Sequence, residues 1–199
     1  MAPPVTFRPR GGAILAAIAI AICAIGLAYV AVTEGVVSLV TWAWPIVAVA
    51  WGAWLLYIRP SVRVTDGFVE VRNIVRTYRV PWGDVEDIDS RYALTIQTVD
   101  GRRIRAWAAP APGARQAMTT RREEVTRTPG EGDTRRPSDA RGTSSGDAAE
   151  VVRRAFETYQ REGGTVLPGG TVTTWDIPVI VVTILLVAGA ILTLVLPHG

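Results

Sequence analysis

Apolar positions along the chain concentrate in three long runs that contain no charged residue. They are GAILAAIAIAICAIGLAYVAV (Gly12 to Val32), SLVTWAWPIVAVAWGAWLLYI (Ser38 to Ile58) and IPVIVVTILLVAGAILTLVLP (Ile177 to Pro197). At about 1.5 Å rise per residue, each run is long enough to cross a hydrocarbon core of about 30 Å. The pattern predicts three transmembrane helices. The first two form a helical hairpin over residues 12–58, and the third covers residues 177–197.

The first run has a second interpretation, because a cleavable signal peptide also combines basic residues with an apolar stretch. Arg8 and Arg10 would form its basic region. The run is too long for a typical signal sequence, however, and a second apolar run follows at once. The pattern therefore favours an uncleaved helix.

The placement of arginine predicts the orientation in the membrane. Arginines flank the first run, follow the second run at Arg59 and Arg63, and precede the third run at Arg161. The hairpin loop and the C-terminal tail contain none. The positive-inside rule then places the N-terminal tail (residues 1–11) and the central segment in the cytoplasm. The protein is expected to be a multi-pass protein of the cell membrane with an extracytoplasmic C-terminus.

Residues 59–109 change to a period of two, which is typical of strands with one buried face. VRVTDGFVEVRN and ALTIQTVDGRRIRAWA each place two alternating runs around an Asp-Gly pair, a strong hairpin signal. RTYRVPW supplies a further run between them. These segments predict an antiparallel meander. Its inward residues on the second hairpin are Leu94, Ile96, Thr98, Ile104, Ala106 and Ala108.

Residues 110–146 are rich in Pro, Gly, Ser, Thr and Arg, a composition that predicts a flexible loop. Residues 147–162 predict an amphipathic helix that covers the open sheet. Its apolar stripe consists of Ala148, Val151, Val152, Ala155, Phe156 and Tyr159.

The stretch VPWGDVEDI (residues 80–88) predicts a structural corner. Pro81 can end a strand because a strand end need not donate a hydrogen bond, and Trp82 is expected to plug one end of the sheet. Asp84 is expected to cap a short helical turn. In that turn Val85 and Ile88 face inward, and the carboxylates of Glu86, Asp87 and Asp89 remain in water.

The central segment resembles the bacterial pleckstrin-homology-like (PH-like) domains. More narrowly, it resembles the actinobacterial membrane proteins grouped with low molecular weight protein antigen six. The resemblance rests on RVTDGFVEVRN, on VPWGDVEDI, which fits a P-W-x-D-V-x-x-I pattern, and on VDGRRIRAWA. It implies a PH-like partly open barrel without established enzymatic activity. The fold class expected is thus three transmembrane helices plus a small cytoplasmic PH-like antiparallel β domain with one C-terminal amphipathic helix.

The amino-acid composition argues against several classes of function. All 21 basic residues are arginine, and the single cysteine and single histidine are Cys23 and His198. This scarcity removes most zinc and acyl-transfer chemistry, and we expect no cofactor. Acidic residues nearly balance the arginines, and no helix-turn-helix or RNA-binding motif is visible, which argues against nucleic acid.

These observations favour a non-enzymatic interaction module whose partners are other proteins or anionic lipid. The first hairpin loop is too short and too acidic to cradle a phosphoinositide headgroup. The candidate contacts are instead arginines expected on the outer face of the strands: Arg72, Arg76, Arg79, Arg103 and Arg105. The alternative is an enzyme or metal-binding protein that uses the acidic cluster Asp84, Glu86, Asp87 and Asp89.

Overall fold

The computed structural model describes residues 4–8, 10–89, 93–110, 144–163 and 170–195. The chain divides into two compact units. A β-rich unit takes residues 1–9 and 60–174, and a helical unit takes residues 10–59 and 175–199. Each unit is therefore built from segments that are distant in sequence.

The helical unit contains three helices that are long and apolar enough to cross a membrane by length and composition. Helix α1 covers Arg10–Thr33, and α2 covers Gly35–Ala53 and continues as a π-helical turn over Trp54–Ile58. The helix that corresponds to the third predicted span covers Ile177–Val195 and is called α4 below. Only Glu34 separates the first two helices, so α2 begins three residues before the predicted start.

Close contacts join α2 to the last helix. The Trp51 indole N–H donates a hydrogen bond of 3.0 Å to the hydroxyl of Thr183. A Cβ atom at Gly189 would lie 2.6 Å from Cδ2 of Trp44, so the tryptophan ring packs directly on the glycine backbone. Glycine at this position allows the approach, as small residues do between membrane helices.

An ion pair joins the residues that border these two helices. Arg59, which follows the π-helical turn, pairs with Asp176, which precedes α4. The arginine side chain is only 4% exposed. Removal of Asp176 would therefore leave a buried charge without this partner, which is costly.

Two antiparallel sheets form the β-rich unit. The five-stranded sheet has the order β1-β2-β3-β4-β8, and the three-stranded sheet has the order β5-β6-β7. The strands are β1 (Val5–Phe7), β2 (Ser61–Val64), β3 (Phe68–Arg72), β4 (Arg76–Pro81), β5 (Val85–Asp89), β6 (Ala93–Thr98), β7 (Arg103–Pro110) and β8 (Val172–Trp175). Strands β2 to β4 form an antiparallel meander in the first sheet and β5 to β7 form another in the second, which fits a PH-like domain.

Two strands lie outside the segment that the sequence assigned to the β domain. Strand β1 comes from the expected N-terminal tail and pairs antiparallel with β2, with Val5 opposite Val64 and Phe7 opposite Val62. Strand β8 comes from the connection to the last helix and lies beside β4. The β-rich unit is therefore larger than residues 59–109.

The core lies between the sheets and helix α3 (Ser144–Arg161). All six inward residues predicted on β6 and β7 are buried. On the helix, Ala148, Ala149 and Val152 are buried in the same core. The rest of the predicted stripe packs against it: Val151, Ala155, Phe156 and Tyr159. Helix α3 begins three residues before the predicted start. Most of the predicted loop, residues 111–143, lies outside the described residues.

The prediction of a helical turn after Asp84 is wrong. Trp82–Asp84 form a single 3-10 turn, and residues 85–89 form strand β5. Val85 and Ile88 are both buried, as expected, although they are three residues apart on a strand. A register shift between Val85 and Asp87 explains this, because a bulge inserts one extra residue and moves the following side chains to the opposite face.

Candidate interaction surface

The corner at residues 81–84 connects three parts of the β-rich unit. The Trp82 side chain is 1% exposed, and its indole N–H donates 3.0 Å to the carbonyl of Thr65 in the β2–β3 turn. Its ring centroid lies 6.0 Å from that of Phe156 on α3. Trp82 thus joins the first hairpin to the helix, while Pro81 ends β4 and is also buried.

Asp84 does not cap a helix. Its Oδ2 accepts a hydrogen bond of 3.0 Å from the hydroxyl of Thr171, immediately before β8. Its backbone carbonyl accepts from the N–H of Val99 at 3.0 Å. The residue therefore fixes the start of β8 and the end of β6 at the corner.

Asn73 connects the two sheets at the β3–β4 turn. Its side-chain amide donates 2.9 Å to the carbonyl of Arg105, and its side-chain oxygen accepts 2.8 Å from the backbone N–H of Trp107. The amide group thus pairs with β7 as a neighbouring strand would. Arg72 and Arg76 flank this turn in the sequence.

Arg79 belongs to a different environment. It lies opposite Glu70 on β3 and forms an ion pair of 3.5 Å with it. Its guanidinium carbon also lies 4.7 Å from the centre of the Phe68 ring. These neighbours already satisfy part of the charge of Arg79.

Arg103 and Arg105 alternate with buried residues along β7 and are exposed. Trp107 follows on the same face and is 52% exposed. The outer face of the three-stranded sheet therefore presents two guanidinium groups and an indole ring in one line. Such a combination suits contacts with anionic groups and with apolar or aromatic partners.

The four acidic residues considered as an alternative site do not converge. Asp84 points to Thr171, whereas Glu86 Oε2 accepts 3.2 Å from the side-chain amide of Gln97. Asp87 and Asp89 are exposed on the outer face of β5. Throughout the described ranges, no three His, Cys, Asp or Glu side chains are grouped so that they could hold a metal ion.

The β6–β7 turn contains a perturbed carboxyl group. Asp100 accepts hydrogen bonds from the hydroxyl of Thr98 and from the backbone N–H of Arg102, and it pairs with the Arg102 guanidinium at 2.8 Å. The bond from Thr98, followed by these Arg102 contacts, lowers the pKa of Asp100 although burial opposes the shift. The following residue, Gly101, has a φ of 80°, which completes the turn.

Sequence reasoning missed the contacts that organise this surface. Nothing in a local sequence pattern shows that the side chain of Asn73 meets β7 more than thirty residues later. Trp107 was counted within a strand but not as a candidate contact. Its exposure follows from the alternation with Ala106 and Ala108, so the same pattern could have identified it.

Comparison with known proteins agrees with this architecture. Residues 59–129 match the model of a family described as bacterial PH domain. Searches of curated proteins and of solved structures give no match. The family match and the antiparallel sheets support a PH-like domain in the central part of the chain, and domains of this class are generally non-enzymatic interaction modules.

Proposed function

We propose that the chain is a membrane-anchored, non-enzymatic module that presents a PH-like domain at the cytoplasmic face of the membrane for interaction with proteins or anionic lipid. The match to the bacterial PH domain family supports the interaction role. The three apolar helices support the anchoring, and the positions of the arginines support the cytoplasmic orientation.

The interaction surface proposed here is the outer face of β7 with the adjoining β3–β4 turn. The contact of Asn73 with β7 supports this choice, because four of the five candidate arginines belong to β7 or flank the turn that Asn73 occupies. They are Arg72, Arg76, Arg103 and Arg105. An arginine near an anionic membrane surface contributes about 1 kcal/mol, so several of them give useful affinity only together.

Crosslinking in intact cells tests whether the partner is a protein. The full chain is crosslinked in its membrane, and the co-purified proteins are identified by mass spectrometry. We expect a defined partner that is lost when Arg103 and Arg105 are replaced by glutamine. It should be retained in the matched control Arg79→Gln, because that arginine is already engaged by Glu70.

Hydrogen exchange tests whether the surface binds anionic lipid. The full chain is placed in neutral vesicles and in vesicles that contain phosphatidylglycerol. Lipid contact predicts slower exchange at β7 and the β3–β4 turn in the anionic vesicles only. If neither a partner nor an effect of anionic lipid is found, the proposed interaction role is wrong.

A further inference from the structure

The β3–β4 turn differs in composition from the two other hairpin turns of the β-rich unit that the structure describes. Asp66-Gly67 joins β2 to β3, and Asp100-Gly101 lies in the β6–β7 turn. At the β3–β4 turn the corresponding pair is Ile74-Val75. Turns favour Gly, Pro, Asn, Asp and Ser, so two β-branched apolar residues in their place are unusual.

The β2–β3 and β3–β4 turns have the same backbone construction, so the comparison between them is direct. The Thr65 N–H donates 3.0 Å to the carbonyl of Phe68, and the Asn73 N–H donates 2.8 Å to the carbonyl of Arg76. Two residues lie between donor and acceptor in each turn. Both residues of the apolar pair remain partly exposed. The hairpin therefore does not require an apolar pair, and the core does not fully bury it.

These two turns lie at opposite ends of the five-stranded sheet. Ser61, the first residue of β2, lies opposite Arg72, the last residue of β3, so the β3–β4 turn begins at the end of the sheet where β2 starts. Strand β1 finishes at the same end, because Phe7 lies opposite Val62. The Asp66-Gly67 turn follows the other end of β2.

The β6–β7 turn belongs to this second end. The Trp82 N–H donates 3.2 Å to the carbonyl of Gly67, and the Val99 N–H donates 3.0 Å to the carbonyl of Asp84 at the same corner. Both Asp-Gly turns therefore adjoin the corner, and each adds a carboxylate there. The apolar pair at the first end is instead flanked by two arginines.

The apolar helices are joined to the chain at the first end of the sheet. Helix α1 begins at Arg10, three residues after Phe7, and the π-helical turn ends at Ile58, three residues before Ser61. At about 3.8 Å between consecutive Cα atoms, neither strand end can lie more than about 11 Å from its helix. The β3–β4 turn starts one strand spacing, about 5 Å, from β2. Of the described hairpin turns, it is therefore the nearest, through the chain and the strand pairing, to the ends of the helices.

We propose that Ile74 and Val75 enter the interfacial region of the membrane in which the chain is anchored. The inference rests on the proposed function and names lipid as the partner of the β3–β4 turn. The apolar pair reaches the boundary between headgroups and acyl chains, where exposed apolar side chains are stable. The carboxylates at the opposite end of the sheet are unsuited to an anionic surface, which favours contact through this turn instead.

The residues around the turn suit the same environment. Arg72 and Arg76 flank the apolar pair. Guanidinium groups bind phosphates while their aliphatic stems cover apolar surface. The Trp107 backbone N–H donates 2.8 Å to the side chain of Asn73 at the turn, and the tryptophan side chain is exposed. Because tryptophan is enriched where membrane meets water, its position beside the turn supports the same contact.

An environment-sensitive probe on the full chain tests the insertion. In a Cys23→Ser background, Val75→Cys is labelled with the fluorophore NBD and placed in vesicles of phosphatidylcholine and phosphatidylglycerol. A lipid with a nitroxide near the top of its acyl chain should quench most of the fluorescence, and iodide in the water should quench little. Val99→Cys is the matched control, because Val99 is an exposed valine in a turn at the opposite end. Its probe should respond to iodide and not to the nitroxide lipid.

Replacement of the apolar pair tests its role without a probe. Ile74→Asn combined with Val75→Gly supplies a pair that two-residue hairpin turns prefer. Strands β3 and β4 should therefore stay protected from hydrogen exchange, which shows that the double variant folds. The slowing of exchange that phosphatidylglycerol vesicles cause at the turn amides of the native chain should be lost.

Three results would overturn the insertion: the probe at residue 75 responds like the probe at residue 99, it is shielded from iodide without quenching by the nitroxide lipid, or the double variant keeps the slow exchange. The second result would assign the turn to a protein contact, and the third would assign the lipid contact to the arginines alone. An effect of anionic lipid at β7 in any of these cases leaves the proposed function intact. Quenching at residue 75 without a partner or a lipid effect at β7 would keep the insertion and remove the proposed β7 surface.

Discussion

Trp82 should be the most costly side chain to remove from the β-rich unit. Its side chain is 1% exposed, and truncation to alanine in a core of this kind costs about 3–5 kcal/mol. The Thr65 carbonyl would also lose the indole N–H that it accepts at 3.0 Å, which adds about 1 kcal/mol. We therefore expect Trp82→Ala to lower the free energy of unfolding of this unit by about 4–6 kcal/mol.

Hydrogen exchange of the full chain measures this effect for the β-rich unit separately from the helices. The amides of strands β2 to β7 report the free energy of the opening that exposes them. Trp82→Phe keeps one aromatic ring but loses the indole N–H and the second ring, so it should cost about 1–3 kcal/mol. We therefore expect it to destabilise the unit less than Trp82→Ala does.

Trp107→Ala is the matched control, because it removes the same side chain from the same unit at a position that is 52% exposed. It should change the free energy of unfolding by less than about 1 kcal/mol. If Trp82→Ala cost no more than Trp107→Ala, the corner would not be a core element. The acidic residues around it would then be the place to look for function.

Three further predictions concern the pH dependence of stability, the packing of two helices and the orientation in the membrane. The lowered pKa of Asp100 means that its stabilising contribution is complete above the ordinary carboxyl value of 3.8 and is lost as the pH falls through the lower folded value. Thermal unfolding of Asp100→Asn should therefore depend less on pH in this acidic range than that of the native chain. Gly189→Ala should destabilise the helical unit by about 1–3 kcal/mol because its Cβ would meet the Trp44 ring. Gly26→Ala, with no described atom within 4 Å of its Cβ, should leave the melting temperature in detergent nearly unchanged. A reporter fused after Gly199 should behave as extracytoplasmic, and cytoplasmic behaviour would contradict the orientation inferred from the arginines.

The sequence predicted the parts of the fold in which one face is buried. Alternation on β6 and β7 identified six buried residues, because burial of one face imposes a period of two. It missed Ala93, which is also buried and lies where the register with β7 shifts. Strand β8 shows no such period, since all four of its side chains are exposed, and β1 has only three residues. Both are edge strands held by backbone hydrogen bonds, which leave little trace in side-chain pattern.

The prediction of a helical turn at residues 82–89 failed for a different reason. Inward residues at Val85 and Ile88 have the spacing of a helix, and a strand with a bulge gives the same spacing.

The two outer strands of the five-stranded sheet affect the order in which the protein can be completed during synthesis. The ribosome makes β1 first, but its partner β2 emerges only after both helices of the hairpin. Strand β8 is made last, immediately before the final helix. Strand β1 must therefore wait without its partner until both helices of the hairpin and then β2 have been made. The five-stranded sheet stays incomplete until β8 has been synthesised, long after its central strands.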